Sequence, residues 1–459
     1  MESSAHSTSL GELPSNPNLT YVRAMNFMQS TTGTWIERGS LLLAGATLLG
    51  STAVADPTGS ELLEQPTLTV AEKAQPSTYD DLKAALQGGK FWVNLRARFE
   101  KVNEELMNDD AHATTLRTRL GYESAEYKNV SGVLEFSDVS SLGPQTYNDL
   151  SGTGSGNANR PAIVDPTGSQ VNQVYAKYTG LVGSTIKAGR QRIILDNARF
   201  IGNVGWRQTE QTYDAFTFVK PDAGPLTVVY AYISNINTIK LASLKTKSHA
   251  LNVSTKFEDI GKLTGYVYYL DVDDNAALST ATYGVRFDGE RDFGDWAATY
   301  TGEYASQGDT ADNLNDVSAN YMHLVFGGKA QGAFVRVGYE VLEGSPDNNA
   351  SRAFQTPLAT GHAFNGWADR FLTTPAGGLE DLYLTAGYGK DAFKASLTYH
   401  QFEPETGSGT DYGSEIDLVG TYAVNADLSV GVKLADFAAD SGGGYSDVTK
   451  AWFWLGYAF

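Results

Sequence analysis

The feature that most constrains this chain is a two-residue alternation of apolar and polar side chains that recurs from residue 90 to residue 459. In KFWVNLRARFEKV, residues 90–102, Phe91, Val93, Leu95, Ala97 and Phe99 share one face, while Asn94, Arg96, Arg98 and Glu100 share the other. A period of two belongs to a β-strand, whose successive side chains point to opposite faces. Eighteen such segments can be placed, near 90–102, 113–125, 130–139, 170–179, 184–191, 208–220, 225–234, 248–257, 262–271, 279–288, 295–306, 317–327, 332–342, 378–389, 393–402, 413–423, 428–437 and 449–459. HALNVSTKF at 249–257, YGVRFDG at 283–289 and GSEIDLVGTY at 413–422 show the pattern plainly.

Alternation alone fits either a soluble sandwich or a lipid-facing barrel. The links between segments separate the two. Those leaving odd segments are long, as at 103–112, 140–169, 192–207, 235–247, 307–316, 343–377 and 438–448. Those leaving even segments are tight, as in Glu126-Tyr127-Lys128-Asn129, Pro221-Asp222-Ala223-Gly224, Glu258-Asp259-Ile260-Gly261 and Asn425-Ala426-Asp427. Long outer loops in alternation with short periplasmic turns are the order of a transmembrane barrel, with both ends of the sheet in the periplasm. A sandwich has no reason to keep it.

The last segment, AWFWLGYAF, puts Ala451, Phe453, Leu455, Tyr457 and Phe459 on one face. An alternating apolar strand with a terminal aromatic resembles the sorting signal of bacterial outer-membrane barrels. Phe453, Leu455, Tyr457 and Phe459 are therefore expected to engage the barrel-assembly machinery. Near the start, SLLLAGATLLGSTAVA at 40–55 follows Arg38 and ends in Ala53-Val54-Ala55 before Asp56, the pattern of a cleaved export signal. Residues 1–37 carry no core pattern, and Met25 or Met28 is a candidate true start. The expected division is 1–55 extension and signal, 56–89 periplasmic lead with a short helix around Leu82 and Leu86, and 90–459 barrel. The expected fold is all-β, a transmembrane antiparallel up-and-down barrel of about eighteen strands with inward-folded outer loops.

Composition agrees where it bears on this. The body of the chain holds no apolar run long enough for a membrane helix. Glycine (48) and tyrosine (25) are abundant, as half-buried strands require, and cysteine is absent, so disulfides and thiolate chemistry are excluded. A net charge of −19 argues against nucleic acid as a partner. Catalysis finds no support: His112, His249, His323, His362 and His400 lie in no recognisable nucleophile motif, and no GxSxG occurs. DVDDN at 271–275 has calcium-type ligands but lacks the loop glycine and distal Glu, so no metal and no cofactor is expected. An acidic outer loop facing lipid headgroups and lipopolysaccharide is the plainer reading of that motif.

A barrel of eighteen strands spaced about 4.8 Å apart and tilted about 40° is roughly 35 Å wide, enough for an aqueous channel. Two segments are expected to narrow it. GRQRIILDNARFIGNVGWRQTEQTYDAF, residues 189–216, carries Arg190, Arg192, Arg199 and Arg207 with Asp196, Glu210 and Asp214. Its guanidiniums suit either bracing against carboxylates or binding an anionic solute. AFQTPLATGHAFNGWADRFLTTPAGGLEDLY, residues 353–383, is too apolar for a solvated loop and offers His362, Asp369 and Arg370. A structural role is the simpler one for His362.

These segments, with LRTRLGYE at 116–123 and the Phe-ended last strand, resemble the alginate-export family of outer-membrane proteins over about residues 90–459. The resemblance implies an Arg-lined conduit for an anionic uronate polymer. If Leu116, Thr118 and Leu120 face lipid, Arg117 and Arg119 point inward, and Arg96, Arg98, Arg286 and Arg336 do so by the same alternation. Glu100, Glu123, Glu135, Glu303, Glu340, Glu415 and Asp417 share that inner face, a departure from a purely basic conduit. The expectation is a passive, anion-preferring porin, and the alternative is a general diffusion porin that selects by size.

Overall fold

In the computed structural model, residues 78–79, 81–151, 157, 159–406 and 409–459 are described. The expected export signal and the expected lead through residue 77 lie outside them. Among the described residues eighteen long strands form one antiparallel sheet, each bonded to its sequence neighbours. They are β1 Lys90–Glu104, β2 Ala111–Glu123, β3 Val130–Ser141, β4 Gly168–Tyr178, β5 Thr185–Gln191 and β6 Thr212–Ala223. Next come β7 Leu226–Asn237, β8 Ser243–Phe257, β9 Gly261–Tyr269, β10 Thr280–Asp292, β11 Ala297–Asp309 and β12 Ser318–Ala330. The last six are β13 Ala333–Leu342, β14 Leu379–Lys390, β15 Phe393–Glu403, β16 Gly413–Ala423, β17 Leu428–Ala439 and β18 Val448–Ala458. Strand β18 pairs with β17 on one side and β1 on the other, from Asn94↔Ala458 to Glu104↔Val448. The sheet is closed and leaves no edge, which is what lets strands satisfy every backbone group in lipid.

The alternation read from sequence sets the faces. Along β2, Ala111, Ala113, Thr115, Arg117 and Arg119 are buried inward while Leu120 is exposed outward. Phe91, Phe136, Val174, Val285, Phe326, Leu397 and Ile416 are among the many large apolar side chains on the outer surface. So continuous an apolar surface belongs against hydrocarbon rather than water. Phe453, Leu455, Tyr457 and Phe459 all lie on it, and the backbones of Phe459 and Val93 exchange hydrogen bonds at the seam.

Turn chemistry fixes the short end. Lys128 and Asn129 both take positive φ (50° and 64°), as do Gln331 and Gly332 (52° and 85°), the two-residue geometry that matches strand twist. At the loop end several strands run further than their apolar pattern suggests. β7 reaches Asn237 and β8 starts at Ser243, so the expected long link at 235–247 shrinks to 238–242. Above the bilayer a strand no longer needs an apolar face, and the sequence signal fades before the pairing does. Inside, glycines admit large rings flat against the wall: a Cβ on Gly431 would sit 2.0 Å from the Trp454 ring.

Ahead of β1, Asp81 caps a short helix, α1, Leu82–Gln87, by accepting from the Lys83 N–H at 2.8 Å. Just before it, Thr78–Tyr79 pairs in parallel with Glu126–Tyr127 beside the β2–β3 turn.

Candidate functional site

Two long links fold into the barrel, 192–211 after β5 and 343–378 after β13. They hold each other. Ile201 forms a bridge with Leu358, Gly202 N–H donates to Leu358 O (2.9 Å), and Thr360 N–H donates to Ala198 O (3.0 Å). Phe200 is packed among Tyr266, Tyr268, Tyr321 and Phe354, with centroids 5.3 to 6.0 Å away. This apolar knot explains why the segments are too hydrophobic for solvated loops.

The inward arginines of β1 and β2 meet this knot. Arg96 donates to Gln208 Oε1 (2.9 Å) and to the carbonyls of Trp206 (2.8 Å) and Arg207 (2.7 Å). Arg98 donates to Trp206 O (2.5 Å), pairs with Asp165 from the 142–167 link, and lies 3.3 Å from Glu100. Arg119 lies 3.3 Å from Glu210. Arg117, directly across the ladder from Arg96, has a neutral partner, Asn94 Oδ1 at 2.6 Å, and its Nε is buried without a hydrogen bond. Arg96, Arg117 and Arg119 thus form a basic strip on one wall.

The loop arginines are braced as well. Arg199 pairs with Glu340 (2.7 Å) and donates to Asn365 (2.9 Å). Arg207 bridges Glu100 (3.1 Å) and Asp369 (3.0 Å), and Arg192 bridges Glu135 and Glu210. Burial alone would raise the Glu210 carboxyl, yet Arg119 and Arg192 hold it well below the ordinary carboxylate range. Asp369 behaves likewise, with His362, Lys450 and Arg207 around it outweighing its burial. Arg370 sits apart, near the loop end, paired with Glu104 at 2.8 Å.

His362 is the centre of a lock. Its Nδ1 bonds Asp369 at 2.6 Å and its Nε2 meets the Lys433 ammonium at 2.6 Å, which requires a neutral ring that accepts at Nε2 and donates from Nδ1. Burial, opposed by Asp369 and reinforced by Lys433, keeps its pKa well below the usual value for histidine. Lys433 is fully buried between the faces of Trp206 (4.1 Å) and Trp367 (3.9 Å), with Trp452 at 5.3 Å. Cation–π attraction compensates part of its lost hydration.

Away from this knot lies a cavity of about 870 Å³ that reaches the tight-turn end. Its wall runs from β8 to β16 and includes Arg286, His323, Arg336, Tyr383, His400 and Asp417, with Phe364 and Trp367 above from the loop. Arg286 is held by Glu303 (2.6 Å) and Asp288. Carboxylates are numerous here: Asp196, Asp259, Asp288, Asp292 and Asp381 all line it.

The sequence-derived site residues therefore divide. Arg96, Arg98, Arg117, Arg119, Arg199, Arg207 and Asp369 come together around the knot, whereas Arg286 and Arg336 line the cavity. Arg190 requires a correction. It stands opposite Val174 on β4 and Asp214 on β6, so it faces outward, where it pairs with Asp214 at 2.7 Å. Strand β5 carries the alternation through Arg190 before the loop begins, and register overrules its expected inward place. Asp273 and Asp274 of the acidic motif bond Lys247 Nζ and Lys245 N–H, both at 2.7 Å. Sequence reasoning missed Lys433, Lys450, Trp452 and Trp454, although Val432 and Leu434 flank an inward Lys433 by the same alternation.

The family model described as alginate export matches residues 89–343. No curated protein sequence matches the chain. Among solved structures, OccK9 (OpdG) of Pseudomonas aeruginosa is similar at 13% identity and TM-score 0.65, over 82% of this chain and 99% of that one. OccAB4 of Acinetobacter baumannii is similar at 12% and 0.62, over 81% and 98%. OpdK of Pseudomonas aeruginosa, solved with vanillate, is similar at 14% and 0.61, over 82% and 99%. At these identities the likeness concerns the fold.

Proposed function

This chain belongs to the alginate-export family, and from that premise we propose that it is an outer-membrane porin passing hydrophilic carboxylate-bearing solutes, uronate saccharides among them, without energy input. The observation that carries the reading is Arg117, a buried guanidinium on the inner wall beside Arg96 and Arg119 with neutral Asn94 as its hydrogen-bonded partner. A guanidinium with spare donors is a fork for a carboxylate, and in a narrow, poorly screened passage a few such groups set ion preference despite a net-acidic protein. The vanillate carried by OpdK is itself a carboxylate, which suits the same chemistry. Size-selective diffusion without charge preference is favoured by one observation, the carboxylate-rich wall of the cavity.

Single-channel recording in asymmetric salt separates the two. With Arg117→Gln and Arg119→Gln together, the reversal potential should move toward cations and block by uronate oligomers should weaken by about tenfold, the effect of about 1.4 kcal/mol. An unchanged reversal potential and unchanged block would make these arginines wall braces and leave size selection as the function.

A further inference from the structure

An apolar groove of about 420 Å³ runs between α1 and the tight-turn ends of β2, β3 and β4. Leu82 and Leu86 wall it from the helix, and each is more than half exposed. Tyr122, Leu134 and Val174 wall it from the sheet. The ladder places Leu134 opposite both Tyr122 and Val174, so the three share one face, while the alternate residues Val133 and Glu135 are buried inward. That face is the outer one, and it continues without a break into Leu120 and Phe136 of the lipid-facing belt.

The groove is held by backbone contacts and by one hydroxyl of its own wall. Ala125 N–H donates to Ala85 O (3.1 Å), the Tyr122 hydroxyl donates to Leu86 O, and Thr78–Tyr79 is paired with Glu126–Tyr127. Gly132 lies on the same outward face, and a Cβ built there meets nothing within 4 Å. Lys83 follows Leu82, and Lys128 follows Tyr127; among the described residues neither lysine forms a salt bridge, Lys128 lying 5.2 Å over the Tyr127 ring. The nearby acids are engaged, Asp81 by the helix N–H of Lys83 and Glu126 by the Thr179 hydroxyl.

We propose that this groove seats one acyl chain of a periplasmic-leaflet phospholipid, with the headgroup phosphate on Lys83 and Lys128. Continuity with the lipid belt identifies the chain, since an open apolar slot at that depth is in contact with hydrocarbon. Lys83 follows the groove residue Leu82 on the helix and Lys128 follows the groove residue Tyr127 on the turn, and an ammonium at either place attracts an anionic headgroup.

The absence of cysteine makes the test direct. The Leu86→Cys protein, labelled with a small fluorophore and reconstituted in phosphatidylethanolamine vesicles containing chain-brominated phosphatidylglycerol, should be strongly quenched. Adding Gly132→Leu, which fills the open space, should at least halve the quenching while the barrel keeps its heat-modifiable migration. An unquenched label, or quenching indifferent to Gly132→Leu, overturns the seat. A second measurement avoids reliance on a groove variant: native mass spectrometry of the solubilised wild-type chain should retain one phospholipid adduct. Lys83→Gln with Lys128→Gln should lose most of it, and full retention overturns the phosphate contact.

Discussion

The two walls of the lumen obey one alternation rule and do different things with it. On β1, β2, β17 and β18 the inward side chains of Arg96, Arg98, Arg119, Lys433 and Trp452 press against infolded loops and are buried. On β10 to β16 Glu340, Glu415 and Asp417 also hold loop residues, but Arg286, Arg336, Tyr383 and His400 border a cavity. A period of two tells a residue which way to point but not what stands opposite. An inward arginine holds a loop where one arrives and borders the cavity where none does.

The sharpest way to break that distinction is to remove an anchor. Arg98→Ala leaves Asp165 buried without its guanidinium and Glu100 with Arg207 alone, a loss of about 3–5 kcal/mol that should fall on loop attachment rather than on the barrel. Single-channel conductance should rise severalfold and fluctuate, while heat-modifiable migration stays. A quiet channel of wild-type conductance would show that the loops are held without the arginines.

A smaller effect sharpens the comparison through pH. The packed ring of His362 is neutral, and in an opened loop it would titrate near its ordinary value of about 6.5. Below about pH 6.5 the open form takes up a proton that the packed form refuses. The packed loop should therefore weaken by up to about 1.4 kcal/mol per pH unit as acid is added. Flickering openings should increase as pH falls from 6.5 to 5 and should lose that dependence in His362→Gln. Equal pH dependence in the variant would assign the effect elsewhere. Glu210 and Asp369, held low by their cations, contribute fully above the usual carboxylate range, and that contribution is lost progressively as pH falls through that range toward their lowered values.

The smallest effect belongs to the cavity side. Lys262, nearly half exposed and 3.1 Å from Asp196, should tolerate Lys262→Gln with a stability change of about 0–1 kcal/mol, read by urea unfolding in detergent micelles. A loss as large as that from Arg98→Ala would mean that the two walls are not energetically distinct.

These contrasts mark how far the residues could be read. All eighteen strands stand within a few residues of where period-two patterning put them, because lipid outside and polar groups inside impose the pattern on every crossing. The inward direction of Arg117, Arg286 and Glu303 was legible for the same reason. The partners were not. That Gln208 would meet Arg96, or that Asp165 of a third link would reach Arg98, depends on how loops fold across a space about 35 Å wide, and no local periodicity encodes that. Arg190 is the converse case, standing at the edge of a loop-like sequence where the ladder still governs direction. The Lys433 cage needed side chains from β17, β18 and two loops at once.

The seam between β1 and β18 bears on how such a molecule is made. Every other neighbouring pair among the eighteen long strands joins strands consecutive along the chain, whereas this pair brings together Asn94 and Ala458. Loop-closure entropy grows only slowly with separation, but the partner must exist before it can be found. Until β18 has emerged and arrived, β1 carries a row of unmatched amides and carbonyls in the first crossing, an open template for any passing strand. The half-finished sheet is therefore the vulnerable species in this protein's life, and a helper that occupies the β1 edge during assembly would protect it at the point where no internal contact can.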